Sequence, residues 1–242
     1  MNRRSSDPSA VTPQHKGRYP GFDVLAQQHV WDEETAKVVL ARLAPAVDRP
    51  FFTPDERAIA GPLLDLLLAQ NGEPRVPVLD LIDARLAAGE TDGWHYDDMP
   101  EDGQAWRDTL QLLDRDAHTD YRCGFPQLGG QHQAGLVQAV QDQSAASGQW
   151  YQYPASQVWS LWTRYACTAF YSHPWAWNEI GFPGPAYPRG YLHSGVNARD
   201  RWETADRGDV DPIPFVERTE RARRQHAATI GEHCPAGGKD AQ

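Results

Sequence analysis

Apolar residues recur along this chain at the three- and four-residue spacing of helices rather than the two-residue spacing of half-buried strands. The plainest start is Thr53-Pro54-Asp55-Glu56, where Thr caps, Pro fits the first helical position and Glu reaches back to the cap. Ile59, Leu63, Leu64, Leu66, Leu67 and Leu68 continue that helix; Gly61-Pro62 is expected to kink it and Asn71-Gly72 to end it. Pro77 opens a short helix with Val78, Leu79, Ile82 and Leu86 on one face, and Gly89 stands where a left-handed C-terminal cap is wanted. Trp106, Leu110 and Leu113 predict a helix between Asp102 and Ala117, and Leu136, Val137 and Val140 one from Gln131 to Asp142. The longest helix is expected from Pro154 to Ser172, with Val158, Leu161, Trp162, Tyr165, Ala166, Ala169 and Phe170 on a broad apolar face. Upstream, Asp32-Glu33-Glu34 complements the dipole of a helix reaching Ala44. No stretch has the alternation or β-branched density of strands and no repeat recurs, so the expected fold is all-α: an irregular helical bundle with long loops.

Residues 1–18 are polar and proline-broken and read as a flexible N-terminal tail. A single helical domain is expected over 19–210. A charged segment with a frayed tail follows over 211–242, where Glu217, Arg218, Glu220, Arg221, Arg223 and Arg224 cluster. Composition supports one self-sufficient core, since 40% of the 242 residues are hydrophobic and 23% charged. The formal net charge of −10 argues against a nucleic-acid partner, which needs clustered Lys and Arg. Cys123, Cys167 and Cys234 are odd in number and widely spaced, so neither a disulfide framework nor a zinc knuckle is indicated. No run approaches the roughly 20 apolar residues that span a bilayer, so direct membrane insertion is not expected. Arg3-Arg4 is followed by no apolar run, so it does not read as an export signal.

The segment 171–191 is the most unusual. Prolines at 174, 183, 185 and 188, glycines at 181, 184 and 190, and aromatics at 171, 175, 177, 182, 187 and 191 predict an irregular loop whose rings must pack on something. They either seal the chain's own core or project into a partner. The candidate interface residues are Tyr171, His173, Trp175, Trp177, Glu179, Phe182, Tyr187, Arg189 and Tyr191. His173, Glu179 and His193, helped by Cys167, offer the alternative of a stand-alone metal-dependent enzyme, but no paired ligands stand at helical spacing. Dinucleotide, phosphate-loop, nucleophile-elbow and haem-attachment motifs are missing, so no catalytic, cofactor-binding or metal residue is assigned. Asp97-Asp98 and Asp114-Arg115-Asp116 are read as solvated surface carboxylates. A plain helical scaffold is the third reading.

From Phe51-Phe52-Thr53-Pro54-Asp55-Glu56, through the Leu-rich helix, to the run from Tyr171 to Tyr191, the chain resembles the gluconate 2-dehydrogenase subunit 3 family. The resemblance implies a small helical subunit that accompanies a large flavoprotein of the glucose-methanol-choline (GMC) type, in some members joined by a cytochrome c subunit. It implies a non-catalytic role in binding, stabilising or maturing a dehydrogenase of a sugar, sugar acid or glycoside, with FAD in the partner and no cofactor in this chain. Many such subunits look exported; without an apolar leader the expectation here is the cytoplasm, or export on a partner's signal.

Overall fold

The computed structural model describes residues 11–13, 19, 21–45, 49–193 and 198–204. The expected tail 211–242 lies outside these residues, as does the tail 1–18 apart from 11–13. The class is all-α, as the periodicity required. The α-helices are α1 (Glu33–Ala41), α2 (Pro54–Leu68), α3 (Val78–Ala87), α4 (Asp102–Tyr121), α5 (Gly130–Ala145), α6 (Ala155–Ser172) and α7 (Pro174–Ile180). A 3-10 segment, Val24–Val30, precedes α1, and a second, Phe125–Gln127, precedes α5. Among the described residues the sheet content is one antiparallel hairpin, β1 (Gln149–Trp150) and β2 (Tyr153–Pro154), which pairs Trp150 with Tyr153. No described helix is long and apolar enough to cross a membrane.

The described residues form two compact units. The first gathers those up to Pro50 with Leu67–Ala88 and those from Tyr165 onward; the second comprises Phe51–Leu66 and Gly89–Arg164.

The second unit is built on α4. Trp106, Leu110, Leu113 and Ala117 share one face and are fully buried. On α6, Trp162 is buried too, and its indole N–H donates to Thr109 Oγ1 at 3.0 Å, which satisfies the polar atom of a large interior ring. The capping box forms as expected: the Thr53 amide donates to Glu56 Oε2 at 2.8 Å and the Glu56 amide to Thr53 Oγ1 at 3.2 Å. Arg107 locks it, pairing with Glu56 at 3.3 Å, donating to the Phe51 carbonyl at 2.7 Å and lying over the Phe51 ring. Helix α2 continues through Pro62 and stops at Leu68, short of Asn71, because Ala69 takes the left-handed conformation.

Several expectations need correction here. Among the described residues the longest helix is α4, with 20 residues against 18 for α6, because its polar last turn carries on past Ala117 until Arg122 turns left-handed. The hairpin was not expected, since two residues per strand carry no periodicity. Asp114 and Asp116 are not idle surface carboxylates. Asp114 accepts the Phe125 amide at 2.7 Å, and Asp116 accepts the Trp150 indole N–H at 2.9 Å and the Tyr151 hydroxyl. Asp97 and Asp98 are exposed, as expected.

In the first unit, Val24, Trp31, Val39 and Trp177 form a core with Phe22, Leu25, Val30 and Ala36 packed around it. Asp32 caps α1 by accepting the Thr35 amide at 2.9 Å; the Thr35 side chain first, and this amide second, hold its carboxyl below the usual range. The helix ends at Ala41, a turn before Ala44. Before α3, the Gln70 side chain clips both backbone groups of Val76, accepting its N–H at 2.8 Å and donating to its carbonyl at 3.2 Å. Gly89 is left-handed after α3, as its position predicted.

Candidate functional site

The segment from Tyr171 to Thr204 lies in the first unit, and its first part is regular, contrary to the expected irregular loop. Tyr171 and Ser172 finish α6, and residues 174–180 form α7. The residues that suggested an irregular loop are the helix's own signals. Pro174 sits at the first helical position, where its missing N–H costs nothing, and His173 is the cap, its Nδ1 accepting the Trp175 amide at 3.2 Å. Gly181 closes the helix in the left-handed conformation at φ 70°. A Cβ there would also stand 2.7 Å from the Tyr19 ring and 2.8 Å from Thr204 Oγ1, so only glycine fits.

Helix α7 is anchored by its inner face. Trp177 enters the core of the first unit, and its indole N–H donates to the Tyr171 carbonyl at 2.7 Å. Arg42 lies over the Trp177 ring and donates to the Ser172 carbonyl at 3.0 Å. Asn178, 1% exposed, accepts the Val24 amide at 2.8 Å and donates to the Val11 carbonyl at 3.1 Å and to Asp23 Oδ1 at 3.2 Å. His173 is wholly buried; burial pushes its imidazole down to about 4, with the nearby Leu43 backbone opposing the fall and Arg42 adding to it.

Beyond Gly181 the described residues are irregular but fastened. Gly184, at φ 81°, lies so near Val24 and Trp31 that a Cβ would approach them at 3.0 and 3.2 Å. Arg189 acts as a strut. One of its guanidinium nitrogens donates to Gln27 Oε1 at 2.7 Å, another to the Pro183 carbonyl at 3.0 Å, and its plane lies 4.6 Å from the Trp202 ring. Asp200, buried, accepts the Leu192 amide at 3.0 Å and bonds His193 Nδ1 at 2.6 Å. Burial pushes its carboxyl up, but the bonds from His193 and the backbone outweigh this and hold it below the usual range. Thus tied from behind, the segment leaves Phe182, Tyr187, Tyr191 and Leu192 exposed, Tyr187 and Leu192 by 66% and 75%.

The nine interface candidates therefore divide. His173, Trp177 and Glu179 are interior residues, which corrects their assignment as surface anchors: a side chain buried in its own chain presents no surface to a partner. Trp175 and Arg189 are half-buried, while Tyr171, Phe182, Tyr187 and Tyr191 are exposed. The three metal candidates, His173, Glu179 and His193, do not come together as a ligand group. Among the described residues no three His, Cys, Asp or Glu side chains gather as ligands; His173 is a helix cap and His193 is engaged by Asp200. Cys167 is exposed, and desolvation pushes its thiol up, away from the reactive thiolate. Sequence reasoning missed Gln27, Asn178, Asp200 and Trp202, whose roles depend on partners remote in the chain. Only the aromatic beside the charges in Asp200-Arg201-Trp202 hinted at them.

No curated protein and no solved structure matches the chain. A family model, gluconate 2-dehydrogenase subunit 3, matches residues 54–184. That span covers more than half of the sequence, runs from the first helical residue of α2 to the glycine packed on Val24 and Trp31, and takes in all of α7. The chain belongs to the gluconate 2-dehydrogenase subunit 3 family.

Proposed function

We propose that this chain is a non-catalytic small subunit that binds and stabilises, and helps to mature, a large FAD-dependent dehydrogenase of the GMC type acting on a sugar, sugar acid or glycoside. The observation that carries the reading is the fastened segment after α7, in a chain whose family is described as a dehydrogenase subunit. Tyr187, Tyr191 and Leu192 stand outward while Arg189, Gly184 and Asp200 fix the backbone from the inner side. Large apolar side chains held in place before binding lose little entropy on association and are the residues that dominate interface energetics. The flavin belongs to the partner in this reading, and so does the substrate pocket.

The test is co-expression of a tagged chain with the GMC-type flavoprotein encoded nearest to it, affinity purification, and an absorption spectrum of the eluate. A yellow complex is expected, with an interface of the order of 800 Å² on each side. A Soret band in the same eluate would add the cytochrome. A colourless, folded chain recovered alone would overturn the proposal.

A further inference from the structure

Resting on the partner-subunit reading, we infer that the exposed pair Trp94 and Tyr96, in the loop that leads into α4, is a second docking surface and takes a lysine- or arginine-bearing surface of the flavoprotein. This loop belongs wholly to the second unit. Trp94 and Tyr96 are 50% and 41% exposed, and their rings meet edge to face with centroids 5.3 Å apart. Two adjoining large rings left in water form the kind of apolar patch that marks a contact surface. They are also fixed before binding. The Arg164 guanidinium lies 5.0 Å from the centroid of the Trp94 ring, and it is held in turn by Asp92 and, at 3.3 Å, by the buried Asp102. The Tyr96 carbonyl accepts the amide of the buried Met99 at 2.9 Å. Rings held in this way lose little freedom on association.

The charge around the rings selects the occupant. Residues 90–102 contain six carboxylates, Glu90, Asp92, Asp97, Asp98, Glu101 and Asp102, and no Lys or Arg. Arg164 answers Asp92 and Asp102, and Glu101 stands 3.6 Å from His95. The side chains of Glu90, Asp97 and Asp98 are exposed and make no hydrogen bond or ion pair among the described residues. Three carboxylates thus stay open to a partner and repel one another until positive charge arrives. Among the described residues no three His, Cys, Asp or Glu side chains gather as metal ligands, so the match is a spread of positive charge rather than a single metal ion. Lysine and arginine suit both halves of the surface: the apolar stem packs on the exposed rings while the cationic head reaches a carboxylate. Asp97 and Asp98 directly follow Tyr96 in the chain, which puts the two kinds of contact side by side. The matching partner surface is therefore basic.

The experiment compares wild type, Trp94→Ala and the double variant Asp97→Lys/Asp98→Lys for affinity to the purified flavoprotein at low and high salt. Asp97 and Asp98 are exposed, so the double variant leaves packing intact, and an unchanged thermal midpoint of each free chain verifies its fold. The charge reversal is expected to weaken binding ~10-fold or more at low salt, with the deficit shrinking at high salt. Trp94→Ala should weaken it ~10-fold at both, because apolar contact is not screened. A wild-type yellow complex that both variants join with undiminished affinity would overturn the docking surface and leave the partner-subunit reading standing. A loss confined to the charge reversal would reduce the loop to long-range steering and overturn it as well. No wild-type complex would remove both readings. Stabilisation of the free chain by calcium or magnesium, lost in Asp97→Lys/Asp98→Lys, would identify a cation site and overturn the docking proposal.

Discussion

Protonating His173 should weaken the fold by an amount the structure sets. Its Nδ1 accepts the Trp175 amide, so that nitrogen carries no proton in the folded chain, and a second proton would place two donors face to face inside a buried site. The imidazole titrates at about 4 in the folded chain against 6.5 when free. The unfolded chain therefore holds the proton more tightly. Above pH 6.5 neither state is protonated and the full stability is present; as pH falls from 6.5 to 4 the unfolded state gains a proton that the folded state refuses, and stability drops. Below 4 both are protonated and the loss is constant, at about 3 kcal/mol given about 1.4 kcal/mol per tenfold change in proton affinity. Between pH 7 and pH 5 the loss is about 2 kcal/mol. Urea unfolding followed by tryptophan fluorescence at pH 7, 6 and 5 measures it, with His173→Asn as reference, because Asn still caps a helix but does not titrate. Other groups act equally in both proteins, so the wild type should lose about 2 kcal/mol more than the variant from pH 7 to pH 5. Parallel losses would refute the argument, for they would mean that the imidazole is solvated or that its proton is accommodated.

Other perturbations have equally definite outcomes. Gly181→Ala forces a left-handed alanine against Tyr19 and Thr204, and chemical unfolding should show a loss of about 2 kcal/mol or more. Trp162→Phe removes the indole donor to Thr109 and leaves a gap beside α4; a loss of about 1–3 kcal/mol is expected in the same assay. Thr53→Ala undoes one half of the capping box on α2 and should cost about 1 kcal/mol, read as a lower thermal midpoint. Tyr187→Ala is the converse: at 66% exposure it should leave stability within about 0.5 kcal/mol of wild type while weakening capture of the flavoprotein at least ~10-fold.

What could be read from the sequence was what depends on near neighbours. Trp106, Leu110 and Leu113 announce α4 because a helix repeats within their spacing, and Thr53-Pro54-Asp55-Glu56 announces α2 because a capping box is complete in four residues. Helix α7 escaped for the opposite reason: seven residues are too few for a period, its cap is a histidine rather than Ser, Thr, Asp or Asn, and Pro174 and Gly181 read equally well as breakers. The roles of Asp114 and Asp116 were invisible because their donors stand 11 to 35 residues downstream. At the candidate site, the aromatic and proline-glycine richness of 171–191 marked the right segment. It could not separate Trp177, drawn into the core, from Tyr187, left outside, since both are large apolar rings. Arg189 was noted as a possible contact, but its strut depends on Gln27, 162 positions away.

The bond between the Val24 amide and Asn178 spans 154 positions, and this sets an order on biosynthesis. Val24, Trp31 and Val39 leave the ribosome early but close around Trp177. At roughly 5–20 residues per second, translation needs on the order of 8–30 seconds to deliver it. During that interval the early aromatic surface has no native cover and is open to chaperones. The α4–α5 region, whose tie from Gln133 to the Phe125 carbonyl spans 8 positions, closes as soon as it emerges. A ribosome stalled before α7 would therefore carry one folded region behind an unfinished one.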